Sequence, residues 1–372
     1  MTVKVADIAA IMAALAPPEL AEEWDNCGLQ VGDPRWPVRR ILVALDPLPE
    51  VVQEACENEI DLLITHHPLL MRPPKRIDFS DVIGGIVSRC ATHQLAIYAA
   101  HTNLDAAIGG LNDHLADLLE LRERRPLVTA AGPSLAKLVV FVPPEAEAAV
   151  RQALFSGGAG EIGRYSHCAF RLEGQGSFLP GDGSRPAVGE VGRDETVDEV
   201  RLETLIPTDC LNNALALAEK AHPYETMAWD AYPLLTVEKH SGLGRVGDLA
   251  AAMPLNALAS SVKTALGTAS VRVVGDPQMS VNTIALCSGA GGSLLADFFS
   301  SGAQVYITGD VRYHDARSVE AAGKGMIDVG HFASERIVVN HLVTQLEERL
   351  AACRPRVSIQ AATSEKEPFI LV

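Results

Sequence analysis

Short apolar runs of strand length alternate with helix-length segments through the first third of the chain, and no other feature constrains the fold as much. "RRILVALDP", "DLLIT" and "LAIYAAH" read as strands, while "EVVQEACENEI", "DVIGGIVSRCATHQ" and "GGLNDHLADLLEL" carry helical periodicity. Strands separated by helices of this length pair in parallel, which predicts an α/β sheet. The ligand site of such a sheet lies beyond the carboxyl ends of its strands. A buried strand has no use for an imidazole pair, yet "DLLIT" runs straight into His66 and His67.

The pattern breaks between about Leu127 and Lys239 and then resumes. The middle reads as a strand "KLVVFVP", a helix "EAEAAVRQALF", a strand "SHCAFRLEG", a strand "DEVRLETLIP", a helix "CLNNALALAEKAH" and a strand "MAWDAYPLL". That order is βαβ followed by βαβ, the pattern of a ferredoxin-like α+β sandwich. Its loop "GQGSFLPGDGSRPAVGEVGRDET" is expected to be exposed, because glycines and prolines resist a ladder. After "HSGLGRVGDL" the strands "MSVNTIALCSG", "AQVYITGD" and "GMIDVGH" again alternate with helices. A chain of 372 residues exceeds what one core usually organises. The expected division is therefore 1–126 as a first α/β part, 127–240 as an inserted domain and 241–372 as a second α/β part.

The two outer parts share a short likeness. "LLITHHPL" parallels "VYITGDVRYHDA", and "AIYAAHTNLDA" parallels "MIDVGHFASE". This suggests two similar α/β halves facing each other across one site. Four strand ends then supply the chemistry: His66 with His67, His101 with Asp105, Asp310 with His314, and His331 with Glu335. His331 and Glu335 are four apart at a helix start and project from one face, as paired ligands do. Imidazole nitrogens with carboxylate oxygens suit zinc, iron or manganese. Adjacent histidines can serve two ions about 3.5–4 Å apart, the spacing of two-metal hydrolytic centres.

One histidine at a strand end is more often a hydrogen-bonded cap than a ligand. Four such clusters at converging strand ends reverse that balance. His93, His114, His167, His240 and His341 lack comparable company and are expected to be surface or structural, and His222 to be a turn residue before Pro223. In "WDNCGLQVGDP", Trp24 is expected to pack and Asn26 to Gly28 to turn into a strand, with a cavity-lining role for Asp25 left open. The glycines of "SGAGGSLL" precede a helix, where amides can hold an anion. Without a GxxxxGK[ST] run, tight packing is the commoner reason for them.

Charge narrows the partners. With 47 acidic against 31 basic side chains the formal net charge is −16, which repels a phosphate backbone and argues against nucleic acid. The seven cysteines are scattered without a CxxC, so a reducing, cytoplasmic setting is expected rather than a disulfide framework. No apolar run approaches membrane-spanning length, and no basic leader precedes an apolar stretch.

Several longer motifs, "WDNCGLQVGDP", "ITHHPLL", "AAHTNLDAA", "GLGRVGDL", "ALCSGAGGSLL", "YITGDVRYHDA" and "DVGHFASE", together span both outer parts. In these the chain resembles the NGG-interacting-factor-like proteins, catalogued as GTP cyclohydrolase I type 2 homologues. The resemblance implies that His66, His67, Asp105, His331 and Glu335 are the ligands of two divalent ions, with Glu335 bridging. The chain departs from the family pattern at none of the five. His101, Asp310 and His314 match motifs near the metals and are carried over as candidate catalytic, substrate-facing or supporting groups. The resemblance further implies a toroidal homohexamer and, for the middle part with "HPYETMAWDAYPL", a PII- or CutA-like domain.

The function expected on these grounds is metal-activated hydrolysis of a small molecule or nucleotide. His101 or His314 would relay protons. The family name would place the attack on the guanine ring of GTP, although no residue here identifies guanine or triphosphate. The alternative is a non-catalytic ring that handles metal or regulates, with the insert sensing a small ligand. Threading of single-stranded nucleic acid through the ring is disfavoured by the acidic balance.

Overall fold

The run Leu62–Thr65 is buried at every position because it lies at the centre of a sheet covered on both faces. Its neighbours are Arg40–Ala44 and Ala96–Ala99, both parallel to it. Ser358–Ala361 extends the sheet in parallel at one edge, and Gly28–Val31 closes the other antiparallel. Successive side chains point to opposite faces. Leu62 and Ile64 accordingly pack with Ile8, Met12, Val338 and Leu342 from the helices Val5–Leu15 and Ile337–Leu350. Leu63 packs with Val51, Val52, Ile86 and Cys90 from Pro49–Glu57 and Val82–His93. Truncating such a leucine to alanine would cost about 2–5 kcal/mol.

The computed structural model describes residues 2–130, 135–163, 165–234, 241–351 and 356–370. They form two compact units, Met1–Ala130 with Lys239–Val372, and Ala131–Glu238. His240 and Cys353 lie outside the described residues. Among the described residues no helix is long and apolar enough to cross a membrane.

The first unit contains a second sheet, in the order Arg272–Val274, Gly325–Asp328, Val305–Thr308, Ser280–Leu286, Gly242–Pro254 and Arg122–Thr129. Its three central strands, Ser280–Leu286, Val305–Thr308 and Gly325–Asp328, are parallel, and the others pair antiparallel. Two of these strands were not legible in the sequence. Arg122–Thr129 opens on charged residues and contains Pro126, which removes an amide; an edge strand tolerates both. Gly242–Pro254 was expected only as a boundary segment, but it runs through the sheet with a register shift between Asp248 and Met253.

These two strands also fix where the chain leaves and re-enters this unit. Thr129 pairs with Gly242, and the Ala130 amide donates to the Ser241 carbonyl at 3.0 Å. Beside them the buried Arg245 guanidinium donates to the carbonyls of Gly242, Gly244 and Ala107 at 2.6, 2.7 and 3.0 Å and to the Asp113 carboxylate. A buried cation is tolerable only with such saturation.

The second unit follows the order strand Leu135–Val142, helix Glu147–Ser156, strands Ala169–Phe178 and Glu195–Pro207, helix Leu211–Ala221 and strand Trp229–Pro233. Numbered along the unit, the strands lie in the order second, third, first, fourth, all antiparallel. Leu138, Val140, Leu202 and Ile206 meet Val150, Leu154, Ala214 and Ala218 in a core of their own. The loop expected from Gly174 to Thr196 is shorter in the structure. Gly174, Gly176 and Phe178 pair with Glu199, Val197 and Glu195, so the ladder persists through the glycines.

Candidate metal centre

Thr65 ends its strand and turns the chain. The amides of His66 and His67 still donate to the carbonyls of Ala44 and Leu45, at 3.2 and 2.9 Å, while the Thr65 hydroxyl donates to the His67 carbonyl at 2.7 Å. That bend brings consecutive imidazoles onto one site, with ring centres 5.2 Å apart. His101, after the strand Ala96–Ala99, brings its ring within 5.2 Å of His66 and 5.4 Å of His67. His331 opens the helix His331–Glu335 after the strand Gly325–Asp328, its ring 5.4 Å from His67.

Each of these histidines commits its Nδ1 outward. His66 Nδ1 lies 2.9 Å from the Ala100 carbonyl, which can only accept, so Nδ1 carries the hydrogen. His67 Nδ1 reaches Asp46 at 2.8 Å, His101 Nδ1 reaches Asp25 at 2.9 Å and His331 Nδ1 reaches Asp310 at 2.8 Å. Once Nε2 gives up its proton, carboxylate-anchored imidazoles of this kind present it as a lone pair in a fixed direction. Nε2 of His67 and of His331 stand 2.9 and 3.0 Å from Glu335 Oε2, and His66 Nε2 stands 3.8 Å from Oε1 and 3.7 Å from Asp105 Oδ1.

Despite this crowding, His66 Nε2 and Glu335 Oε2 are buried without a hydrogen-bond partner. A buried imidazole nitrogen and a buried carboxylate oxygen are costly together unless a cation, a proton or a metal ion, joins them to their neighbours. The donor atoms form two overlapping groups, His66 with His67 and His101, and His67 with His331 and Glu335, each within 4.8 Å. The residues therefore fit a divalent metal, with His67 common to both groups.

Charge in the cluster is distributed accordingly. Burial would lower the His67 pKa, but Asp46 and Glu335 outweigh it and raise it to about 10. Glu335, then Asp310, raise His331 to about 9 against the effect of burial. Burial would raise Glu335, yet the three imidazoles hold it well below the ordinary carboxylate range. Asp105 goes the other way: burial pushes it up, with His66 opposing.

All five expected ligands lie in this cluster: His66, His67, Asp105, His331 and Glu335. Asp105 sits on the short helix Thr102–Ala106 and accepts from the Ser288 hydroxyl at 3.3 Å. His101 stands closer to the donor set than the sequence suggested, since it shares a group with His66 and His67. Asp310 touches the cluster through His331. Among the described residues His314 makes no hydrogen bond or ion pair with the clustered side chains. It is exposed on the helix Tyr313–Ala321 with its ring against Tyr313.

Asp46 was not recognised in the sequence, though the signal existed. It follows the apolar run Arg40–Ala44 by the same two-residue step as His67 follows Leu62–Thr65. The carboxylate of Glu365 accepts from the amides of Leu45 and Asp46, at 2.8 and 2.6 Å, and steadies that turn. Asp25 likewise proves to be a support, accepting from His101 and from the Thr102 amide at 3.0 Å. Trp24 is not packed as expected but 61% exposed, because its turn is held by the polar contacts of its neighbours. The "SGAGG" amides of Ser288, Gly289 and Gly291 are taken by Asn112, Ser334 and Thr308, each at 2.9 Å. The loop is a packing device, and those amides are spoken for. His222 is structural too: its Nδ1 accepts from the Tyr224 amide and its Nε2 donates to the Phe141 carbonyl.

The sequence model of the Duf34/NIF3 (NGG1p interacting factor 3) family matches residues 3–368. A Bacillus subtilis protein named "GTP cyclohydrolase 1 type 2 homolog" is 42% identical over 354 residues, 95% of either chain. A Mycobacterium tuberculosis protein of the same name is 40% identical over 339 residues, 90% of this chain and 89% of the relative. Among solved structures, a Bacillus cereus protein related to NIF3 is 38% identical, covers 100% of both chains and superposes with a TM-score of 0.73. A Staphylococcus aureus protein reaches a TM-score of 0.80 at 27% identity, covering 100% of this chain and 99% of that one.

Proposed function

The chain belongs to the Duf34/NIF3 family, and on that premise we propose that it is a metal-dependent hydrolase of a small molecule or nucleotide. Two divalent ions would be held by His66, His67, Asp105, His331 and Glu335. The observation that carries this reading is the buried, unpartnered pair of His66 Nε2 and Glu335 Oε2 amid imidazoles whose Nδ1 atoms are all committed elsewhere. Zinc, iron or manganese in such a site would acidify a water and polarise a substrate oxygen.

The protein's own groups do the rest. Asp46, Asp25 and Asp310 hold the imidazoles in register. Glu335, buried between His67 and His331, has two oxygens aimed at different imidazoles and is suited to bridge. His66 is sealed, while His331 and His67 are part-exposed, which leaves one side of the cluster for a substrate. His101 stands near enough to pass a proton, whereas the exposed His314 and the outward Asp310 have weaker claims to a catalytic role.

The inserted part reads as a ferredoxin-like sandwich of the PII or CutA kind, supported by its strand order. The three-part division at 1–126, 127–240 and 241–372 fits better with its borders moved to the ends of Arg122–Thr129 and the start of Gly242–Pro254. A cytoplasmic homohexamer completes the proposal, and light scattering tests that assembly. The burial of Glu335 and His66 also suits a non-catalytic metal-handling scaffold. Turnover separates the two. Protein reconstituted with manganese, iron or zinc is expected to hydrolyse a member of a panel of nucleotides, phosphoesters and amides, GTP included. Firmly bound ions with no metal-dependent turnover would favour the scaffold.

A further inference from the structure

Trp24 is 61% exposed on a turn that has no freedom to hide it. The Asp25 amide donates to the Glu22 carbonyl at 2.9 Å, the Glu22 amide to the Thr102 hydroxyl at 3.0 Å, and the Asn26 side chain to the Leu70 carbonyl. Asp25 itself is fastened to His101 and Thr102. The indole is thus held in water by a braced loop, and it stands edge-to-face with His101, ring centres 5.9 Å apart. An indole left in solvent forgoes a large apolar burial, which a flat partner could recover.

The position of that indole matters as much as its exposure. His101 belongs to the donor group with His66 and His67. A ring laid against Trp24 therefore stands at the rim of the candidate metal centre, where an oxygen-bearing substituent can extend toward the converging Nε2 atoms. We propose that Trp24 is a stacking platform that selects planar aromatic or heteroaromatic substrates carrying an oxygen ligand for the metal. This rests on the reading of the cluster as a metal centre with an open side. It goes beyond that reading in naming the shape of the substrate and the residue that reads it.

The test uses the metal-loaded full-length protein and hydroxamates that share one chelating head: acetohydroxamate, benzohydroxamate and phenylacetohydroxamate. Calorimetry is expected to show one of the aromatic probes binding roughly tenfold more tightly than acetohydroxamate, the scale of one stacked ring. Trp24→Ala should erase that preference and leave acetohydroxamate unchanged, and Trp24→Phe should retain most of it. If Trp24→Ala loses metal, Trp24→Leu provides the same ratio. In a Trp36→Phe, Trp229→Phe background, the aromatic probe should also quench the remaining indole fluorescence more than acetohydroxamate does. Equal binding of all three probes, or a preference that survives loss of the indole, would overturn the platform while leaving the metal centre intact. Binding of none would sink both readings.

Discussion

A side chain on residue 289 would collide with the carboxylate of Glu335: a Cβ built on Gly289 stands 2.1 Å from Glu335 Oε1. Gly289 also has φ near +60°, where an L side chain costs about 1–2 kcal/mol on its own. Gly289→Ala should therefore displace the carboxylate and lower both thermal stability and metal content. A variant that melts normally with full metal by elemental analysis would show that Glu335 is not needed in its observed position.

Asp46 gives a test that does not touch a ligand atom. Its carboxylate fixes the tautomer and direction of His67. Loss of such an outer partner typically costs 10–100-fold in metal affinity. Asp46→Ala should weaken zinc binding by about that factor in a chelator competition, and Asp46→Asn by less because its amide oxygen still accepts. Unchanged affinity in Asp46→Ala would remove Asp46 from the site.

Glu335→Ala should reduce metal content at both positions if that carboxylate bridges, whereas Arg317→Ala, an exposed ion-pair change, should not. Elemental analysis of folded protein purified without added metal decides this. Full occupancy in Glu335→Ala would take the residue off the ligand list.

Proton uptake should oppose metal uptake. In the metal-free protein His67 titrates near 10 and His331 near 9, so at neutral pH both carry protons that an incoming ion must displace. Affinity should rise as pH increases through 7 toward 9, and calorimetry in buffers of different ionisation enthalpy should register proton release. Binding without released protons would contradict the charge state described. For metal-free folding the signs differ by group. The raised histidines stabilise fully below 6.5 and lose that contribution as pH climbs through 9–10. The depressed Glu335 contributes above 4.5 and loses it as pH falls.

Replacing residues 131–240 by an Asn-Gly turn between Ala130 and Ser241 should leave a folded, metal-loaded protein. Those two residues are already hydrogen-bonded across an antiparallel pair, the setting in which a two-residue turn closes a hairpin. A single cooperative melt with retained metal is expected. Loss of folding would mean that the middle unit is required by the rest.

The strand-end histidines could be read from the sequence because a parallel core strand is a nearly unbroken apolar run, so Thr65 and His66 announce where it stops. The spacing of His331 and Glu335 was legible for the same reason of periodicity. What escaped reading depends on direction rather than type. His314 has the same chemistry as His331, yet it points from an exposed helical face. Asp46 and Gly289 matter through what lies opposite them in space, which no local pattern encodes. Arg122–Thr129 was hidden by its charges, which only an edge position accommodates.

The two sets of donors lie far apart along the polypeptide: His66, His67, His101 and Asp105 early, His331 and Glu335 late. During translation about 230 residues are added between Asp105 and Glu335, a delay of about 10–50 s at ordinary elongation rates. Throughout that interval a nascent chain carries the early imidazoles without the Glu335 carboxylate that completes the set. Even the brace on Asp46 is Glu365, made later still. Metal acquisition is thereby tied to synthesis of the later segment, which also supplies the helix Ile337–Leu350 and the edge strand Ser358–Ala361 of the first sheet, so a product cut before His331 loses the late donors and the cover of that sheet together.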